Sequence, residues 1–459
     1  MDAKLMRTYL RYIAPSTLAF MLAGIYSVVD GLFVGHVIGD NGLASINLAY
    51  PLLAAVLSTG TGLGLGGAII SSIRLGEENV EGSRQATAHT ITLLALASPV
   101  IMLLLVPSCD SLLFFMGARG EVLDYSARYM GVIILGIPFQ VLATGCIPLI
   151  RNRGHVMYAM MASMLGGTLN TIGDFVLVFI LHWGVEGAAL ATVLSQAADF
   201  TCCALFFLRK DQRMPLRMFK PSWCLAKRSI SNGFAPFVLT LAPEVTTVTL
   251  NIAVGACGGS TAQAALAVIS YTGVSIQWMI QGVNDGSQPL ISRYFGAGDL
   301  KTVKALRHTN FAFAIGIGCL GAILLCGLKG QFSLIFGISP EATALFFRGI
   351  TLFALGLPLY GLAHAITSNF YAMESGKSAS TIIAVETASI VGLGFFLSVT
   401  IGLDGAWATP SATQVILCAL ALFLLYRKKP ELERRAIDQA RKRERNVGGS
   451  NMEAGREGK

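Results

Sequence analysis

A carboxylate inside a long apolar run is expensive, and this chain carries several. Asp30 interrupts YSVVDGLFVG, while Asn170 and Asp174 interrupt LNTIGDFVLVF. At the centre of a bilayer an ionisable group costs at least about 2.5–3.5 kcal/mol, so each one is a functional candidate. Asn170 and Asp174 stand four residues apart, which on a helix places both on one face. Thr192, in the next apolar run, adds a hydroxyl. Two carboxylates, an amide and a hydroxyl form an oxygen-rich set suited to a sodium ion, held at Asp30, Asn170 and Asp174, or to a shared proton. The competing reading of each residue alone is a hydrogen bond that ties two helices together.

A second group is more dispersed. Glu244, in LAPEVTTVTLN, could attract a cationic substrate, carry a second ion or pair two helices. The stretch SIQWMIQGVNDGSQP places Gln277, Trp278, Gln281, Asn284 and Asp285 on one unusually polar helix. That composition suits the wall of a wet cavity, with Trp278 offering its ring to flat ligands. Asp199 and Glu386 are expected to pair with neighbours, and His364 to pack rather than relay protons. Glu77, Glu78 and Glu81 with Arg74 and Arg84 read as a solvated salt-bridge cluster. The nine cysteines have no metal or redox spacing and are expected to be reduced, small apolar residues. No nucleophile–base pair or metal cluster occurs at workable spacing, so an enzyme is not expected, nor a cofactor beyond the coupling ion.

The elements that must position these residues are membrane helices. Hydrophobic residues make up 54% of the chain and charged ones 13%, more oil than a water-soluble protein can hide. The fold class read from this is an all-α polytopic membrane protein of twelve spans. They fall near 13–39, 42–73, 86–114, 122–150, 156–182, 184–208, 229–256, 260–291, 309–336, 341–372, 378–402 and 405–426. Of 34 Lys and Arg, all but Arg119, Arg128, Lys329 and Arg348 fall on one side of this pattern. Basic residues resist translocation, so that side is the cytoplasm and both termini lie there. The net charge of +8 is thus chiefly a topology signal. The basic tail, 429–459, is expected at the lipid headgroups rather than on nucleic acid. The first apolar run is too long for a cleavable signal peptide and lacks a small-residue cleavage site.

Shifted by 220 residues, the chain overlies itself. Gly62 meets Gly282, Gly66 meets Gly286, Gly117 meets Gly337, Glu121 meets Glu341 and Pro138 meets Pro358. Each half holds six spans, so two pseudo-symmetric lobes are expected, with a cavity between them at mid-depth and alternating access by rocking. The division read from this is an N-lobe over 1–208, a basic linker over 209–228, a C-lobe over 229–428 and the tail beyond. Asn251 stands opposite Asp30, and Gly392, Phe396 and Pro410 fall roughly opposite Asn170, Asp174 and Thr192. At these matched positions the first lobe keeps ionisable chemistry and the second does not, which places the coupling-ion site in the first lobe.

The motifs VVDGLFVGHVIGDNGLA, IRNRGH, LNTIGDF, GVEGAALATVLSQ and GSQPLISRYFGAGD, in this order, resemble those of the multidrug and toxic compound extrusion family, over residues 8 to about 426. The resemblance implies a prokaryotic cell-membrane efflux transporter, functional as a monomer, which exports small organic cations in exchange for H⁺ or Na⁺. Asp30, Asn170, Asp174 and Thr192 match the first-lobe ion site of the branch that includes the DNA-damage-inducible type. Glu244 matches an acid of the sodium-driven branch. That branch also carries an Asp after the tenth span, where this chain reads MESGKSAS, with Lys377 at that place and Glu374 three residues earlier. A second-lobe sodium site is therefore not expected, and the choice of H⁺ or Na⁺ stays open. The rival readings are a lipid-linked or metabolite exporter of the same superfamily and, further off, a channel.

Overall fold

The computed structural model describes residues 2–457 apart from 221, with side chains described at all of these except 27–41, 43–44, 216 and 447–457. The helices are α1 (Ala3–Gly76), α2 (Val80–Phe115), α3 (Gly120–Asn152), α4 (Val156–Gly173), α5 (Gly184–Leu208), α6 (Trp223–Gly296), α7 (Leu300–Gly327), α8 (Lys329–Phe336), α9 (Pro340–Ala354), α10 (Leu357–Ala372), α11 (Gly376–Ile401) and α12 (Leu403–Glu457). A π-helical segment, Asp174–Ile180, continues α4, and a 3-10 turn, Leu216–Phe219, precedes α6.

A helix rises about 1.5 Å per residue and a bilayer core is about 30 Å thick, so roughly 20 residues make one crossing. At 74 residues each, α1 and α6 must hold two. In α6 the break falls at Gly259, whose φ of 62° and ψ of −158° suit only a residue without a Cβ. Among the described residues nine helices are long and apolar enough to cross, and α9 with α10, bent by 41°, makes a further broken span. The fold is therefore the expected twelve-span, all-α membrane architecture, with the second half of the first span outside the described side chains.

Each helix sorts its residues as a lipid-bathed helix must. On α2, Leu96, Val100, Leu103 and Leu104 are exposed, whereas Ala86, Thr90, Leu94 and Ser98 are buried. The exposed apolar side meets lipid tails, and small or hydroxyl-bearing residues let helices approach.

Two compact units result. One comprises Leu22–Leu75 and Val80–Leu241; the other comprises Met1–Met21, Gly76–Asn79 and Ala242–Lys459. In the first, Val56, Leu94, Met130, Ile133, Ile137 and Val141 pack one apolar core. In the second, Leu250, Val254, Leu266, Ile269, Phe346 and Trp407 pack another. The units depart from the two halves of the chain at the starts of α1 and α6, and glycines explain why. A Cβ on Gly66 would strike the Ser229 carbonyl, and one on Gly62 would meet Phe237, so α6 begins inside the first unit. Gly286 and Gly282 leave the same room for Ile13 and Thr17, so α1 begins inside the second.

The duplication is written in the backbone as well. Left-handed φ angles recur 220 residues apart at Glu78 and Gly298, Gly117 and Gly337, and Gly154 and Glu374. After α4 and α11 the spacing becomes 218, through Gly184 and Gly402, because the connecting loop is two residues shorter in the second half. Gly187 abuts the Leu177 carbonyl as Gly405 abuts that of Leu397. Arg128 pairs with Glu186, and its counterpart Arg348 pairs with Asp404 at 2.5 Å. This register keeps Pro410 opposite Thr192. It corrects the other two counterparts by two residues each, placing Ile390 opposite Asn170 and Gly394 opposite Asp174.

Candidate functional site

The oxygen-rich set of the first unit is built where α4 meets α5. Gly173 allows the approach, since a Cβ there would lie 2.8 Å from that of Ala191. Asn170 Nδ2 then donates to Thr192 Oγ1 at 3.4 Å. Thr192 spends its own proton on the Ala188 carbonyl, at 3.0 Å, so its oxygen is left to accept. Asp174 follows one turn beyond Asn170 and is 0% exposed. Three of the four expected site residues are thus held on one strip of the α4–α5 interface; the side chain of Asp30 lies outside the described residues.

Asp174 also opens the π-helical segment that ends at Ile180. In such a segment the backbone bonds reach one residue further, as Leu181 N–H does to the Val176 carbonyl, and π segments cluster at functional sites. Nothing in LNTIGDFVLVF signals this. One turn back from Asn170, Tyr26 lies where a Cβ on Gly167 would be, and its hydroxyl is 3.3 Å from Thr168 Oγ1. This contact fastens α1 to α4 four residues before Asp30 in the sequence.

The second group disperses. Glu244 is half-buried on α6 and has no hydrogen-bond or ion-pair partner among the described residues. Gln277 and Trp278 are half-buried as well. Gln281 Nε2 donates to Asp285 Oδ1 at 2.8 Å, one turn along the same helix. Asn284 is a different case, at 1% exposure. Its Oδ1 accepts from Asn310 Nδ2 at 3.3 Å, and Asn310 in turn accepts from Ser287 and from the Tyr9 hydroxyl. In this conformation Asn284 ties α6 to α7 within a packed interior, not on an open wall.

A constellation the sequence reading left apart lies in the second unit. His364 Nε2 on α10 is 3.1 Å from Glu386 Oε1 on α11, and Gln414 Nε2 on α12 donates to the same oxygen at 3.1 Å. Tyr360 stacks on the imidazole with ring centroids 3.8 Å apart. His364 and Glu386 lie 22 residues apart on consecutive helices, so no local spacing could reveal the pair. Among the described residues no group of three or more His, Cys, Asp or Glu is placed to hold a metal ion.

The expected salt-bridge cluster is also redistributed. Glu81 meets Arg217 at 3.6 Å, and Arg74 donates to the Gly82 carbonyl. Glu77 and Glu78 also meet the basic tail, through Lys442 and Arg443. The tail helix therefore pairs with loop acids.

Comparison with known proteins agrees with this architecture. The MatE family model matches residues 15–176. The multidrug export protein MepA of Staphylococcus haemolyticus is 22% identical over 96% of this chain and 96% of its own length. MepA of Staphylococcus aureus is 24% identical over 91% of this chain and 93% of its own. Among solved structures, a MATE transporter in complex with MaL6 superposes with a TM-score of 0.89 at 21% identity, covering 94% of this chain and 97% of its own. A MOP superfamily transporter from Pyrococcus furiosus, described as having a binding pocket of reverse polarity, gives 0.87 at 20% identity with the same coverage.

Proposed function

We propose, from the premise that the chain belongs to the multidrug and toxic compound extrusion family of transporters and is not an enzyme, that it exports organic cations in exchange for H⁺ or Na⁺. The observation that carries the proposal is the α4–α5 strip. It holds Asn170, Thr192 and a wholly buried Asp174 together in one unit. A carboxylate there, away from water, offers its negative charge to a cation or a proton. Binding of that ion on the outward side and its release on the inward side would couple ion entry to substrate exit as the two lobes alternate in access. Asp30 would supply the second carboxylate, and Glu244, Gln277, Trp278, Gln281 and Asn284 the substrate-facing wall when the protein changes state.

The membrane-embedded acids favour a cationic, lipophilic substrate over an anionic one. Lys and Arg are nearly absent from the spans, which argues against a pyrophosphate-linked cargo. The basic-rich loops support a cell-membrane orientation with both termini in the cytoplasm, and the self-contained pair of lobes supports a working monomer. One charge entering down 100 mV supplies about 2.3 kcal/mol, enough for roughly a fifty-fold concentration ratio. That contribution vanishes when a monovalent cation leaves per monovalent ion entering, so the chemical gradient of the ion then drives export alone.

The test is ethidium flux in proteoliposomes with pH and sodium gradients imposed separately. Uphill movement under one of the two names the coupling ion. Flux that only follows ethidium's own gradient under both would point to a channel and end the antiport reading.

A further inference from the structure

We propose that His364 and Glu386 form a second proton-binding site, in the C-terminal half and separate from the α4–α5 strip. Glu386 is the eleventh residue of α11, about 15 Å along the helix from Gly376, and so close to mid-membrane. His364 and Glu386 are 5% and 8% exposed. A buried ion pair is a poor device for holding helices together, because apolar residues of the same volume do so as well or better. Ionisable groups at this depth mark ion pathways by default.

The local chemistry is that of a group with two protonation states. When the imidazole carries its second proton, Nε2–H donates to Glu386 Oε1 and the pair is neutral overall. Release of that proton returns the ring to its neutral form and leaves one negative charge, which Gln414 Nε2 continues to stabilise. Two atoms flanking the pair, His364 Nδ1 and Gln414 Oε1, are buried with no hydrogen-bond partner. The ring therefore has a free nitrogen through which a proton can be delivered without breaking its bond to the carboxylate. Beside the pair, Tyr360 of α10 stacks on the ring, and on α12 the Cys418 Sγ donates to the Leu359 carbonyl. No charged side chain of α7 is paired with it among the described residues.

The internal register strengthens the assignment. Gly166 of α4 is the counterpart of Glu386, and a Cβ on Gly166 would collide with the carboxylate of Asp199 from α5. Each half thus places one carboxylate at the same level of the same helix pair, supplied once by α5 and once by α11. A residue needed only to fill space would not have to be an acid twice.

The proposal rests on the transporter reading only for what the proton does; the titration itself stands apart. With ¹⁵N-histidine protein in lipid nanodiscs, His364→Gln assigns the ring signals. The expected result is that the His364 ring signals report two protonation states as the pH is varied, with the balance between them altered in Glu386→Gln. A wild-type signal unchanged across the pH series would overturn the proposal, whether or not the variant folds. In proteoliposomes, Glu386→Gln should lower pH-gradient-driven ethidium export at least tenfold while ethidium counterflow persists and Glu386→Asp restores part of the drive. Export at the wild-type rate would also overturn it. Wild-type vesicles that show no ion-driven flux would instead sink the antiport reading and leave the titration to decide this one.

Discussion

Asn170 reaches Thr192 because Gly173 leaves α4 and α5 close together, and Thr192 can accept because its own proton is already bound to Ala188. Thr192→Val keeps the shape and removes the acceptor. A lost hydrogen bond of this kind is worth about 0.5–1.5 kcal/mol, so the coupling-ion concentration at half-maximal flux should rise roughly two- to twelve-fold. An unchanged half-saturation would remove Thr192 from the site. Gly166 gives a packing test on the same helix. Gly166→Ala forces the Asp199 carboxylate aside and should cost about 1–3 kcal/mol by thermal unfolding in detergent, with Asp199→Ala in the same chain recovering most of it. Asp30, Asn170, Asp174 and Thr192 could be singled out from the sequence because each is polar within an apolar run. The partner of Glu386 could not, because it arrives on another helix.

The elements add a device that no local pattern announced. Glu78 and Glu374 have φ angles of 60° and 55°, and their repeat counterparts are Gly298 and Gly154. A left-handed conformation costs an ordinary residue about 1–2 kcal/mol, and both glutamates are met by the tail. Arg443 Nε donates to Glu78 Oε1 at 2.8 Å, and Arg435 donates to the Glu374 carbonyl. Lys304 binds Glu433 at 2.9 Å. Glu78→Gly should raise the unfolding temperature while making the tail more sensitive to protease. Equal protection of the tail in the variant would show that Arg443 contributes nothing to docking. Exposed pairs are weak and screened by salt, so protection should also weaken as ionic strength rises. The hydrogen bond from Lys304 holds the Glu433 carboxyl below its usual 4.5. Its contribution to docking is therefore complete above that value and fades as the pH falls below it, which protease protection measured across pH 3–6 checks. A tail equally protected at the acid end would detach docking from this pair.

At the scale of the whole molecule, twelve crossings and a two-fold repeat were legible because both are written as periodic composition, in long apolar runs and glycines at a fixed offset. The exchange of helix starts between units was not, because it depends on what Gly62, Gly66, Gly282 and Gly286 touch across the fold. The π segment beginning at Asp174 was hidden for a related reason: it alters hydrogen bonding without altering composition. The loop shortened by two residues before α12 misplaced two repeat counterparts until the left-handed turns fixed the register. What remains is whether the buried carboxylate of the first unit is where the driving ion binds. The most direct measurement is ethidium export by Asp174→Asn in proteoliposomes under the gradient that drives the wild type, alongside ethidium counterflow with no gradient. The account predicts that gradient-driven export is lost and counterflow kept; uphill export at the wild-type rate would contradict it.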